Sequence, residues 1–133
     1  IQIKGCSKHL SNVEKKTIGV EVMGTHRQGP DRRYSTDNFD FLCIAIDPKY
    51  IPAEINLPDD EYAFAFIGSD ALPLHPKNDA WGTTKKIYEN CKFRFDDQNK
   101  SILYPDITRY RQEIKFGIDE INLNEIPSKI LNE

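Results

Sequence analysis

No apolar run in this sequence approaches the roughly 18 residues that a bilayer-spanning helix needs, which excludes such a helix from it. Cysteine is scarce: Cys6, Cys43 and Cys91 lie far apart with no CxxC pair. That spacing argues against a zinc knuckle or a disulfide framework and points to a reducing, cytoplasmic setting. There is no HExxH pattern and no Ser/His/Asp order, so neither a zinc-protease helix nor a nucleophilic triad is legible. Internal repeats and low-complexity tracts are missing as well, which excludes a solenoid or a disordered tail. No secretory signal opens the chain, because Ile1-Gln2-Ile3-Lys4 is already strand-like. The absence of an initial methionine suggests a trimmed chain or a fragment.

The 133 residues suit one domain, and 38% hydrophobic against 29% charged residues allows it a packed core. The net charge of -3 conceals an asymmetry. Residues 1–34 carry seven Lys/Arg against three acids, a net of +4, and the rest carries eleven against eighteen, a net of -7. A basic end on an acidic domain is the footprint of a surface that meets a polyanion, or else a solvated lysine-rich loop.

Hydrophobic periodicity divides the chain into strands. Residues 1–5 alternate, with Ile1 and Ile3 on one face and Gln2 and Lys4 on the other, the period of a strand with one buried face. Thr17 to Met23 alternates again, with Ile18, Val20 and Val22 sharing a face. Gly24 to Arg33 is an exposed loop rich in Gly, Pro and charge. Phe41 to Ile46 is apolar on both faces, as in a strand covered from both sides. Tyr62 to Ile67 sets Tyr62, Phe64 and Phe66, core or interface residues by default, against a small-residue face that would admit a helix. Trp81, also core or interface by default, opens a short helix to Asn90. Lys92 to Phe95 and Ser101 to Tyr104 pair as a hairpin. From Asp106, residues Ile107, Tyr110, Ile114, Ile118 and Ile121 fall at helical spacing.

Gln2-Ile3-Lys4 has the form of a [D/E/Q]-x-K tripeptide on a strand, with both polar side chains on one face. At that spacing the first side chain offers oxygen to a divalent cation. The lysine orients water and stabilises charge at a phosphate. Glutamine supplies only a neutral carbonyl oxygen, a weaker ligand for a hard cation than a carboxylate. In the loop after the second strand, His26, Arg27, Arg32 and Arg33 concentrate phosphate donors, suited to backbone contact more than base readout. Glu21 is either a solvent-face acid or a neighbouring-strand residue pointing toward Lys4. His9 and His75 read as surface or turn histidines, and Asp40 as a cap on the turn before the buried strand.

The order of these parts resembles the C-terminal half of the PD-(D/E)XK nucleases of the restriction-endonuclease and junction-resolvase kind. It runs from the Gln-x-Lys strand and a neighbouring strand through Tyr34-Ser35-Thr36-Asp37-Asn38-Phe39-Asp40 to a buried strand and one more strand. The resemblance covers residues 1–73, leaving 74–133 as a C-terminal extension. It implies an α/β fold, a restriction-endonuclease-like mixed β-sheet flanked by helices. It implies a Mg²⁺-dependent endonuclease acting on DNA, with Lys4 catalytic and Gln2 in the acidic metal-ligand position. The family's other metal-binding Asp precedes this strand, so the resemblance also implies an acid from an upstream segment or a second copy. The alternative is a catalytically inactive nuclease-like domain that binds DNA or a protein.

Overall fold

A computed structural model describes residues 1–24, 33–55, 61–74, 86–96, 98, 102–106 and 120–131. Within them lie seven strands: β1 (Gln2–Gly5), β2 (Thr17–Glu21), β3 (Phe41–Ile46), β4 (Ala63–Gly68), β5 (Asn90–Phe95), β6 (Ile102–Pro105) and β7 (Ile121–Asn122). They form two sheets, ordered β1-β3-β4 and β2-β5-β6-β7. β1 runs parallel to β3 with Gln2 opposite Leu42 and Lys4 opposite Ile44, and every other ladder is antiparallel.

The sheets meet along two seams. At one, the Ser7 N–H donates to the Gly19 carbonyl at 2.7 Å and the Lys4 ammonium to the Met23 carbonyl at 2.8 Å. At the other, Ala65 bridges Leu123, the Asn124 N–H donates to the Phe64 carbonyl, and the Phe64 N–H donates to Asn124 Oδ1 at 2.9 Å. The strands therefore follow one another in a circuit around a single core. That core takes Ile18, Val20 and Val22 from β2 and its extension, Leu42, Ile44 and Ile46 from β3, and Ala63, Ala65 and Ile67 from β4. Phe93, Phe95, Leu103, Ile121 and Leu123 complete it from the second sheet.

This architecture corrects the expected α/β fold with helices flanking a mixed sheet. The protein is mostly β, and among the described residues its one α-helix is the single turn α1 (Ser128–Leu131), with no buried residue. The physical reason is that each sheet covers the other's apolar face. The small-residue face of β4, which would have admitted a helix, lies in the core against strands instead. Ile121, the last position of the expected helix from Asp106, belongs to β7, and residues 107–119 lie outside the described residues. Of the expected helix from Trp81 to Asn90, Lys86 and Ile87 form β-bridges and Asn90 begins β5, while Trp81 lies outside the described residues.

Two strands turn large apolar side chains outward. On β1 the alternation holds, but Ile1 and Ile3 are 59% and 63% exposed while Gln2 and Lys4 are half-buried. On β4, Tyr62 and Phe64 are exposed and Ala63, Ala65 and Ile67 are buried. Hydrophobicity alone does not choose the inward face where a strand meets a seam. There the lysine gains a carbonyl acceptor that offsets part of its desolvation.

Asn124 holds the β4–β7 seam from a left-handed backbone, φ 61°. Asn tolerates that conformation better than other side-chain-bearing residues. Asn124→Ala is expected to lower unfolding free energy by about 1–3 kcal/mol, from the αL cost and the lost Phe64 acceptor. Asn124→Gly should recover the backbone part only. Urea titrations of the three proteins check this ordering, and equal stability of wild type and Asn124→Ala would contradict it.

Candidate functional site: the Lys4 cleft

The first seam opens into a cleft of about 530 Å³, lined among the described residues by Lys4, Gly5, Cys6, Ser7, His9, Glu21, Met23 and Gly24. Three elements supply it: β1 and its exit, the turn carrying His9, and the end of β2 with its extension.

A close approach to Gly19 holds the His9 turn in place. A Cβ at Gly19 would overlap that of Leu10 and lie 3.0 Å from the Leu10 backbone carbons, so a glycine is what lets residues 7–11 lie across β2. The Gly19 N–H donates to Ser11 Oγ at 3.0 Å. The Ser7 carbonyl accepts from the Leu10 and Ser11 N–H groups at 3.3 and 3.0 Å, closing the turn on itself. Farther along, Asn12 Oδ1 accepts from the Glu14 and Lys15 N–H groups, and Lys16 completes the return to β2 at φ 56°.

Lys4 sits at the centre of this arrangement. Among the described residues its hydrogen-bond acceptor is the Met23 carbonyl, which uses one of the three ammonium protons. Its nitrogen also lies 5.7 Å from the centroid of the Tyr34 ring, a cation–π distance. Tyr34 packs edge-on against Phe39, with centroids 5.3 Å apart and planes at 88°. Tyr34 of the Tyr34-to-Asp40 segment thus lies beside the lysine, with Phe39 packed on Tyr34. In that turn the Ser35 N–H donates to Asn38 Oδ1 at 2.8 Å, so Asn38 supplies the side-chain acceptor expected of Asp40. Asp40 instead lines a separate cleft with Asp70 and Lys129.

Gln2 occupies the same β1 face one alternation back, yet it is not in the cleft lining among the described residues. The carboxylate in the lining is Glu21, exposed at the end of β2. Arg33 is half-buried and bridges Met23, which brings its backbone to the strand whose carbonyl holds Lys4. His26, Arg27, Arg32 and His75 lie outside the described residues. No three His, Cys, Asp or Glu side chains converge to hold a metal among the described residues. A divalent cation there would find one carboxylate, Glu21, which is fewer protein ligands than a self-contained cation site uses.

Sequence reasoning set His9 aside as a turn histidine, and it is a turn histidine, but the turn folds over the cleft. The available signal was Gly19, a glycine inside an alternating strand, which marks a place where another backbone comes close. Burial pushes the Cys6 thiol up from the usual 9.0 to about 12, a hydrogen bond from the Asp47 backbone opposes the rise, the Asp47 charge adds to it, and the Sγ approaches the Ala45 carbonyl at 3.9 Å. Comparison with protein-family models, curated proteins and solved structures finds no match to this chain.

Two outcomes follow from this geometry. Gly19→Ala is expected to cost about 1–3 kcal/mol by overpacking against Leu10. It should also shift the His9 amide resonance, whereas a variant that leaves both stability and His9 unmoved would contradict the close approach. For Cys6, the folded state keeps its proton over a range where the unfolded chain has lost it. Its stabilising contribution is therefore complete below about pH 9 and declines as pH rises toward about 12. Alkylation of folded protein should keep rising with pH beyond 9, while the rate in urea levels off near 9. Matching profiles would refute the shift.

Proposed function

We propose that this chain carries the lysine-bearing half of a DNA phosphodiesterase site, in which the Lys4 cleft receives a backbone phosphate. The observation that carries this reading is Lys4 lining an open cleft with His9 and Glu21 while one ammonium proton is spent on the Met23 carbonyl. The two remaining protons suit a phosphate oxygen, and a fixed ammonium beside a phosphate stabilises the charge that builds during water attack. The nuclease resemblance supports this through two features alone, since β2, the neighbouring strand it implies, belongs to the other sheet. The Gln-x-Lys strand pairs with the buried strand β3, and Tyr34 of the Tyr-x-x-x-x-Phe-Asp segment lies beside Lys4. In sequence, Gly24 of the lining leads directly into the segment bearing His26, Arg27, Arg32 and Arg33. Those side chains would extend the contact along the DNA backbone. Mg²⁺ is the ion this chemistry calls for, and its remaining carboxylates would come from beyond the described residues, in an upstream segment or a second copy.

A second reading, binding to DNA without hydrolysis, is favoured by the single carboxylate in the described lining. The intact protein distinguishes the two. With Mg²⁺ and supercoiled plasmid, the hydrolytic reading expects nicking, and Lys4→Ala should slow it by about 10²-fold or more. The same variant should lower the salt slope of duplex binding by about one phosphate contact. Salt-dependent binding without nicking selects the second reading. Nicking undiminished in Lys4→Ala removes the lysine from the first, and absence of salt-dependent binding overturns both.

A further inference from the structure

Glu21 is an unexpected lining residue for a cleft that takes an anion. A lysine alone would attract a doubly charged phosphate more strongly than a singly charged one. A carboxylate beside it opposes that preference, because its repulsion also doubles with ligand charge. The charged and titratable groups of the described lining are Lys4, His9, Glu21 and Cys6, and the Cys6 thiol stays protonated well above neutral pH. With His9 neutral, Lys4 and Glu21 balance, leaving the lining with no net charge to reward a second negative charge on the ligand.

We propose that Glu21 is a specificity-determining residue that cancels the preference of the Lys4 cleft for the doubly charged phosphomonoester at a strand end, so that the singly charged phosphodiester within a strand competes on equal electrostatic terms. This rests on the reading of the cleft as a phosphate site and names the substrate class within it. A phosphodiester carries one negative charge at neutral pH. A phosphomonoester has a second ionisation at a pKa of about 6 and carries nearly two. Glu21 therefore removes the bias toward strand ends that Lys4 alone would give, and its neutral isostere would restore that bias.

Two probes of similar size and different charge isolate this effect: dimethyl phosphate and methyl phosphate at pH 8. Their binding to the intact ¹⁵N-labelled protein is followed at the Gly5 and Gly24 amides, both in the lining. Across a water-filled cleft, each unit of ligand charge facing one carboxylate charge changes affinity by about three- to fivefold. Glu21→Gln should therefore raise dimethyl phosphate affinity by that factor and methyl phosphate affinity by its square. The ratio of the two then moves by about three- to fivefold toward methyl phosphate. The spectrum of the variant reports its fold in the same experiment. An unchanged ratio overturns the role of Glu21 while leaving the cleft a phosphate site. If neither probe moves the Gly5 and Gly24 amides of the wild type, the phosphate reading itself fails. Lys4→Ala, expected to abolish the shifts from both probes, confirms that they arise in this cleft.

Discussion

The contact between residues 7–11 and Gly19 is the constraint on which the rest of this site depends. A strand that leaves β1 must turn back across β2, and a side chain at residue 19 would occupy the space where Leu10 lies. With hydrogen there instead, the Ser7 N–H reaches the Gly19 carbonyl and the two sheets are joined. The same turn carries His9 to the cleft, and the same seam brings the extension of β2 under Lys4. One glycine thus fixes both closure of the fold and the composition of the cleft. Removing that contact would separate His9 from Lys4 without touching either.

Much of the strand content was legible in the sequence. The alternation at Thr17–Glu21 and Lys92–Phe95, and the double-sided apolar run Phe41–Ile46, are local patterns that backbone geometry enforces. Layer arrangement was not legible, because an apolar strand face is satisfied equally by a helix or by another sheet. Residues such as Ala65 and Ile67 carry no mark of which one covers them. The inward face of β1 was not legible for a related reason. Ile1 and Ile3 look like core residues, but the Lys4 position is decided by an acceptor nineteen residues away, the Met23 carbonyl. The tripeptide singled out Lys4, and the structure sets it in the lining of the cleft. Its carboxylate neighbour was not fixed, since whether Glu21 faces solvent or the cleft depends on the seam and not on β2 alone.

Charge in the cleft follows from how strands bring their ends together. Lys4 arrives on β1 and Glu21 at the end of β2, on strands that touch only near the seam. Opposite charges supplied by separate elements at an open site are only weakly bound to each other by screened attraction, so both remain able to respond to a ligand. The Met23 carbonyl and Tyr34 ring hold the Lys4 side chain in place without a carboxylate partner among the described residues.

The circuit of strands also has a consequence for how the chain acquires its structure. Its ladders join distant parts of the sequence: Gln2 with Leu42, Glu21 with Asn90, and Ala65 with Leu123. Each pairing must close a long loop before any burial rewards it, so local hairpins such as β5–β6 have a large kinetic advantage. β1 gains its ladder only when β3 is in place, and the cleft exists only once β1 and β2 have met. The cleft therefore waits on long-range pairing, and the β2 side of it has no ladder until β5 has been made.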